Sequence, residues 1–289
     1  MSIDRVAVLG GGLMGSGIAE SVARAGVPVV VRDVDEAAVD AARGRIEASL
    51  GRALAGGKIE AAGHDEILGR IDFTDRLEGV AGADLVIEAV PENAELKANI
   101  LAQVAGVVSA EALIASNTSS IPIAQLAAGI PRPERVLGLH FFSPVPVMRL
   151  VEIVVALDTS EETRETASAF AERIDKQAIV TKDRSGFIVN MLLVPYLMAA
   201  VRMFEEGFAS AADIDEGMKL GCGHPMGPLT LADFIGLDVL YSIGDSLHEE
   251  FKRTEYAPPP LLKRMVASGR IGRKAGRGFY DYRKERATV

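Results

Sequence analysis

The sequence has little cysteine, little histidine and no excess of basic charge. Among 289 residues, Cys222 is the only cysteine, and there are four histidines. A single cysteine excludes an intramolecular disulfide and leaves no cysteine-rich metal site, so we expect no metal ion and a reducing, cytoplasmic setting. Lysine and arginine total 31 against 40 aspartates and glutamates, which gives a net charge of −9. This acidic balance argues against nucleic acid as a partner.

The sequence also lacks a membrane-spanning run. Its most apolar stretch, residues 188–201 (IVNMLLVPYLMAAV), contains Asn190 and Pro195. It is shorter than the roughly 20 residues that a bilayer requires. We therefore expect a buried helix here and no membrane contact. The first residues do not show the basic start, apolar segment and cleavage site of a signal peptide, so we expect no export.

Short apolar strands alternate with helix-length segments through the first part of the chain. Such alternation is typical of parallel sheets, and continuously apolar strands are typical of sheets covered on both faces. The pattern predicts a Rossmann-type doubly wound α/β domain over residues 1–184. The predicted strands are 6–9, 27–31, 84–89, 113–116, 136–140 and 150–155, and the predicted helices are 13–25, 35–55 and 94–108.

After residue 184 the pattern changes to helices without strands. The predicted helices are 187–207, 211–220, 230–251 and 261–268. Residues 185–289 therefore form a predicted all-α domain. Apolar helical domains of this size often bury surface against a second copy, so we expect a homodimer formed through this domain.

A glycine-rich turn follows the first strand. Gly10, Gly12 and Gly15 form the pattern G-x-G-x-x-G between a strand and a helix. The first glycine permits a tight turn, the second lets a pyrophosphate approach the backbone, and the third lets helix and strand pack closely. The pattern predicts a dinucleotide site, to which we also assign the intervening Leu13 and Met14.

The second strand ends in Arg32 and Asp33, where a carboxylate can accept the ribose hydroxyls of a dinucleotide. Asp33 would repel a 2′-phosphate, which favours NAD. Arg32 could instead bind that phosphate, so NADP remains the alternative at this point.

One histidine lies where a catalytic residue is expected. His140 ends an apolar strand at the edge where open α/β sheets bind ligands, whereas His64, His224 and His248 lie in polar or turn segments. Glu152 interrupts another apolar strand, where an unpaired charge is costly. If the two strands are neighbours, Glu152 can orient the imidazole as a general base. The alternative is that each residue has a separate structural role.

Two further polar features have two interpretations each. The run Ser116–Ser120 follows a strand at the same edge and could bind ligand, or Ser120 could cap a helix. Asn190 is an amide at the start of the most apolar helix, where an unsatisfied amide costs free energy. It could reach a substrate carbonyl.

Taken together, these motifs resemble those of the short-chain L-3-hydroxyacyl-CoA dehydrogenases, in particular the bacterial 3-hydroxybutyryl-CoA dehydrogenases. The likeness covers nearly the whole chain. It rests on GGGLMGSGIAE, DLVIEAVPEN, SNTSS, GLHFFSPVPVMRLVEIV, SGFIVNMLLVPYLM, GHPMGPLTLADFIGLD and GRGFYDY. The resemblance implies reversible, NAD-dependent oxidation of an L-3-hydroxyacyl-CoA of about four carbons in fatty acid metabolism.

The resemblance also implies roles for single residues. His140 matches the family's catalytic base and Glu152 its partner, while Ser119 and Asn190 match groups that bind the substrate and its developing charge. The implied dinucleotide contacts are Asp33, Glu92, Lys97, Ser119, Ser143 and Lys274. Ser49 and Lys58 match residues that contact CoA, although the plain alternative for their helical arm is a solvated face.

Ser143 departs from the family, which usually has asparagine there. A serine at this position could retune the site for another acyl group, so a longer, polar or carrier-protein-bound thioester is an alternative substrate. A non-catalytic NAD-binding protein is the alternative from another class. Serine hydrolysis is disfavoured because the sequence has no G-x-S-x-G elbow.

Overall fold

The computed structural model describes residues 2–283 of the chain. Two compact units are present, Met1–Arg184 and Ser185–Val289, and residues 1 and 284–289 of the predicted domains lie outside the described part. Each unit has its own hydrophobic core. The strands of the sheet belong to the first unit, and the second is built from helices.

The first unit contains an eight-stranded sheet in the order β3-β2-β1-β4-β5-β6-β7-β8. The six strands from β3 to β6 in this order pair in parallel. This is the order of a doubly wound dinucleotide-binding sheet, so the predicted fold class is confirmed. The strands are β1 (Val6–Leu9), β2 (Val29–Arg32), β3 (Ile71–Thr74), β4 (Leu85–Glu88), β5 (Leu113–Ser116), β6 (Val136–Phe141), β7 (Leu150–Val155) and β8 (Gln177–Lys182).

The helices of this unit connect the strands and start at defined caps. Asp35, Asn93 and Ser160 each accept a hydrogen bond from a backbone N–H of the first turn that follows. The helices are α1 (Leu13–Arg24), α2 (Glu36–Ala55), α3 (Ala61–Leu68), α4 (Ala94–Ala105), α5 (Ile123–Ala127) and α6 (Glu161–Arg173), with 3₁₀ turns at Leu77–Val80 and Pro133–Arg135. Strands β1, β4 and β5 are buried along their whole length, which explains why they are mostly apolar.

The strands at the two edges of the sheet were absent from the sequence prediction. β3 reads IDFT and β8 reads QAIVTK, and both are partly exposed. Their polar residues hide the apolar signal that marks a buried strand. β7 runs antiparallel to β6, which brings the start of β7 to the edge where the parallel strands end.

The second unit consists of α7 (Val189–Glu205), α8 (Ala211–Cys222), α9 (Pro228–Ile235), α10 (Leu237–Phe251) and α11 (Pro260–Ala267), with a 3₁₀ turn at Arg273–Ala275. The prediction of one helix over 230–251 is wrong. Gly236 has a φ of 103° and separates α9 from α10, a conformation that favours glycine. None of the helices in residues 2–283 is long and apolar enough to cross a bilayer.

Candidate active site

The candidate site lies at the carboxyl edge of the parallel strands. The glycine turn follows β1, Asp33 follows β2, Glu88 ends β4, Ser116 ends β5, and His140 is next to last in β6. Ligands of open α/β sheets bind at this edge. The fold therefore collects polar side chains from separate parts of the sequence in one place.

The glycine turn is tightly packed at its first and last positions. Gly10 has a φ of 92°, and a Cβ added there would lie 2.8 Å from the carbonyl oxygen of Ala89. A Cβ on Gly15 would lie 1.8 Å from the carbonyl oxygen of Gly10. Neither position can carry a side chain without moving backbone, as the dinucleotide pattern requires.

The middle of the turn is open. A Cβ on Gly12 would meet nothing within 4 Å, and α1 begins here without a side-chain cap. The first N–H groups of α1 thus have no side-chain acceptor, and the helix dipole favours an anion there. These residues fit the pyrophosphate of a dinucleotide.

Asp33 is held in place by the turn that it faces. Its Oδ2 accepts the N–H of Gly11 at 2.7 Å, and its Oδ1 accepts the N–H of Val34 at 2.7 Å. Each oxygen can accept a further bond, as ribose recognition requires. Within the described residues, the Nε of Arg32 is buried without a hydrogen-bond partner.

His140 and Glu152 meet across β6 and β7. The two residues are register partners, and His140 Nδ1 lies 2.7 Å from Glu152 Oε2. The prediction that their strands are neighbours is confirmed. His140 is 4% exposed and Glu152 is fully buried. With Nδ1–H donated to the carboxylate, Nε2 is the nitrogen left to act as a base, a tautomer assigned from this contact.

Nε2 faces the loop after β5. Ser119 Oγ lies 3.0 Å from His140 Nε2, and the side chain of Asn117 accepts the N–H of Phe141 at 2.9 Å. The Ser120 hydroxyl donates to Glu92 Oε1 at 3.3 Å, and Asp183 accepts the first N–H groups of α5, those of Ile123 and Ala124.

Glu92 fixes the same loop. Its Oε1 accepts the hydroxyl of Thr118 at 2.5 Å and the N–H of Ser119 at 3.0 Å. Its Oε2 lies 3.2 Å from Lys97 Nζ. Burial raises the pKa of the Glu92 carboxyl, but the charge of Lys97 and the bonds from Thr118 and Ser119 outweigh it and hold that pKa below its usual value.

Comparison with known proteins decides the family. Residues 5–184 match the model for the NAD binding domain of 3-hydroxyacyl-CoA dehydrogenase, and residues 186–282 match the model for its C-terminal domain. The chain belongs to the 3-hydroxyacyl-CoA dehydrogenase family. Its first unit is therefore the family's NAD-binding domain, and the chain is an oxidoreductase.

Individual family members are similar along the whole chain. A 3-hydroxybutyryl-CoA dehydrogenase of Mycobacterium tuberculosis is 51% identical, with 97% of this chain and 99% of that protein covered. The crystal structure of M. tuberculosis FadB2 superposes with a TM-score of 0.96 at 51% identity, covering 98% of this chain and 100% of the other. The (S)-3-hydroxybutyryl-CoA dehydrogenase of Ralstonia eutropha superposes with a TM-score of 0.92 at 44% identity, covering 97% and 99%.

The other predicted residues lie in the loop after β6, on or after α2, and in the helical unit. Ser143 is exposed in the loop after β6, and Lys58 is exposed after α2. Ser143 and Ser49 line one cavity of about 260 Å³ between α1, α2 and that loop. Asn190 is buried in the first turn of α7, and Lys274 pairs with Asp238 at 2.7 Å, both in the helical unit.

Several residues around the site were missed by the sequence analysis. Arg45 and Arg52 line the cavity of Ser49, and their i, i+4, i+7 spacing on α2 was the available signal. Glu88 is fully buried at the end of β4, and Lys97, predicted as a cofactor contact, is only 1% exposed. Glu88 follows the apolar run LVI, which was an available signal, whereas Lys97 lies in a polar segment that leaves no clear pattern in a single sequence.

Proposed function

We propose that this dehydrogenase interconverts (3S)-3-hydroxybutyryl-CoA and acetoacetyl-CoA with NAD, using His140 and Glu152 as its general base pair. The observation that carries the proposal is the row of contacts from Glu152 Oε2 to His140 Nδ1 and from His140 Nε2 to Ser119 Oγ. The similarity to proteins named 3-hydroxybutyryl-CoA dehydrogenases supports the choice of substrate.

His140 removes the proton of the 3-hydroxyl at Nε2, the ring nitrogen directed toward Ser119. Bound NAD supplies the acceptor for the hydride that leaves C3. The proton and the hydride thus leave one carbinol group for different acceptors, and the carbonyl forms. In the reverse direction, protonated Nε2 returns the proton to the carbonyl oxygen.

Glu152 stabilises the imidazolium that forms at His140. The carboxylate is fully buried and accepts Nδ1–H, so it also fixes the ring tautomer. Because the positive charge exists only once the proton has moved, this contact strengthens during the reaction.

Ser119 and Asn190 hold the substrate oxygens. The Ser119 hydroxyl is positioned by the Glu92 carboxylate through the Ser119 N–H. Such fixed donors stabilise charge on an oxygen without reorganising during the reaction. The role of Asn190 rests on the family resemblance and on its amide in an apolar helix.

The CoA part of the substrate is proposed to lie along α2. Ser49, Arg45 and Arg52 face one cavity with apolar residues of α1 and of the loop after β6. The guanidinium groups suit phosphate and the apolar lining suits a pantetheine chain. Lys58, exposed beyond the end of α2, supplies a further cation.

The experiment is a spectrophotometric panel. We expect the highest kcat/KM with acetoacetyl-CoA and NADH, and in the other direction turnover of the 3S but not the 3R alcohol. A higher kcat/KM with longer, polar or carrier-protein-bound 3-ketoacyl thioesters would support the alternative substrate that the exposed Ser143 motivates. Binding of NAD without turnover of any thioester would contradict the proposal and support a non-catalytic protein.

A homodimer through the helical unit and a cytoplasmic location complete the proposal. Large apolar side chains are exposed on that unit, including Leu192 at 72%, Phe208 at 78% and Leu220 at 78%. Burying them against a second copy would remove this surface from water. The exposed free thiol of Cys222 fits a reducing compartment. Light scattering tests the dimer, and a monomer at micromolar concentration would contradict it.

A further inference from the structure

A buried ion pair is connected to the loop that follows β5. We call this loop, residues 117–122, the Ser119 loop. Glu88 is fully buried at the end of β4, and Lys97 on α4 is 1% exposed. Lys97 Nζ lies 2.6 Å from Glu88 Oε1. A buried pair of this kind adds little net stability compared with apolar residues of the same volume, so its presence beside a reactive histidine calls for another role.

The Lys97 ammonium has three close partners within the first unit. Nζ donates to Glu88 at 2.6 Å and to the carbonyl oxygen of Val90 at 3.1 Å, and it lies 3.2 Å from Glu92 Oε2. In this arrangement the Lys97 ammonium lies among Glu88, Val90 and Glu92 and can act on the site through Glu92.

Glu88 also binds the strand that leads into the Ser119 loop. Its Oε2 accepts the hydroxyl of Ser116 at 2.6 Å, and Ser116 is its register partner on β5. The Ser116 hydroxyl in turn accepts the N–H of Thr118 at 3.2 Å. One carboxylate therefore anchors the loop by two routes, through Ser116 and through Lys97 and Glu92.

We propose that Glu88 is a positioning residue, which with Lys97 sets Ser119 against His140 through Glu92 and Ser116. This inference rests on the proposed function of Ser119 and His140. Replacing Glu88 by glutamine keeps its shape but leaves Lys97 with half-exposed Glu92 as its one carboxylate. Glu92 can then move together with the Lys97 ammonium. As a result, the Ser119 loop loses its fixed position.

The first test measures turnover. Glu88→Gln should lower kcat by about 10–100-fold, since small misplacements of reacting groups cost rate on this scale. The fall in kcat should exceed the rise in the KM for NADH, because the predicted dinucleotide contacts Glu92 and Ser119 remain present and lose only their fixed position. Asp84→Asn is the control: Asp84 precedes β4 at its other end and accepts the N–H groups of Asp4 and Arg5. A raised KM at unchanged kcat in Lys97→Met would overturn the proposal in favour of a direct cofactor contact.

The second test measures the loop itself, without cofactor or substrate. Hydrogen exchange of the amides of residues 118–121 should be at least about tenfold faster in Glu88→Gln than in the wild type and the Asp84→Asn control. Unchanged exchange would overturn the proposal. This result is independent of turnover. A wild type without activity on any thioester would end the proposed function and leave the exchange test valid.

The third test separates positioning from folding. The double variant Glu88→Gln/Lys97→Met removes both charges, and stability should return toward that of the wild type. We expect kcat to stay low and amide hydrogen exchange in the Ser119 loop to stay fast, because Glu92 still lacks the ion pair that fixes its position. Recovery of kcat together with stability would overturn the proposal. If Glu88→Gln does not fold, Ser116→Ala replaces it, with an expected loss in kcat of about 10–100-fold, because the lost hydroxyl donates to a charged carboxylate.

Discussion

Glu152 and His140 are cross-strand partners, and their side chains meet at 2.7 Å between Oε2 and Nδ1. Both residues are buried and lie on regular strands, not on loops. The sheet itself thus fixes the imidazole, and Nε2 is the nitrogen that we propose takes up the proton. A site built on strands holds its geometry more accurately than one built on loops.

Glu152→Gln tests what this contact does. The amide keeps the volume but removes the charge that stabilises the imidazolium. We expect kcat to fall by about 10²–10⁴-fold, the typical range for general base catalysis. KM should change by less than about 3-fold, because the charge develops after substrate binds. Steady-state kinetics beside the Asp84→Asn control check this, and a raised KM with normal kcat would contradict it.

Gly15→Ala tests the glycine turn. The new Cβ would lie 1.8 Å from the carbonyl oxygen of Gly10, so the turn must move. We expect the Kd for NAD to rise at least about tenfold, which corresponds to about 1.4 kcal/mol. Gly44→Ala in the middle of α2 is the matched control, since its Cβ meets nothing within 4 Å. It should leave the Kd unchanged and stabilise the helix by up to about 1 kcal/mol. Calorimetric titration and thermal unfolding measure both effects.

Asp33→Asn tests the choice of dinucleotide. The amide oxygen can still accept the N–H of Gly11, but the negative charge that repels a 2′-phosphate is lost. We expect the wild type to prefer NAD, and the ratio of kcat/KM for NAD over NADP to fall about tenfold in the variant, as the loss of one charge contact implies. Arg32→Ala should leave the NAD value unchanged. An NADP preference in the wild type that Arg32→Ala abolishes would contradict this prediction.

The sequence predicted the strands that are buried and missed those that are not. β1, β4 and β5 are buried and mostly apolar and their positions were predicted, whereas the edge strand β8, QAIVTK, has polar residues at both ends and is partly exposed. The prediction of one helix over 230–251 was wrong at Gly236, where the structure has a break. A glycine in an apolar run does not by itself indicate a helix end. Only tertiary structure shows that its φ is positive.

The site was predicted to a similar extent. His140 and Glu152 could be found because each is a polar residue in an apolar strand, a local contrast that any single sequence displays. Glu88 also follows an apolar run, LVI, and was missed, whereas Lys97 lies in the charged segment ENAELK, which shows no such contrast. Their contact depends on how α4 packs on the sheet, which periodicity does not specify.

Glu92 provides a test that depends on pH. Folding holds the pKa of this carboxyl below its unfolded value of about 4.5. The stability that this gives is fully present above that value and is lost as the pH falls through the lower, folded pKa. We expect Glu92→Gln to be less stable than the wild type at pH 7 and the difference to shrink as the pH falls below about 4.5. Urea unfolding at several pH values measures it, and a difference that grows in acid would contradict the assignment.

His140→Ala with saturating NAD and (3S)-3-hydroxybutyryl-CoA is the most direct test of the account. Removal of the base should lower kcat by about 10²–10⁴-fold, the range for loss of a general base. The Kd for NAD should stay within about 2-fold, because the glycine turn and Asp33 are untouched. A His140→Ala enzyme that turns over at the wild-type rate would contradict the central claim that this imidazole moves the proton.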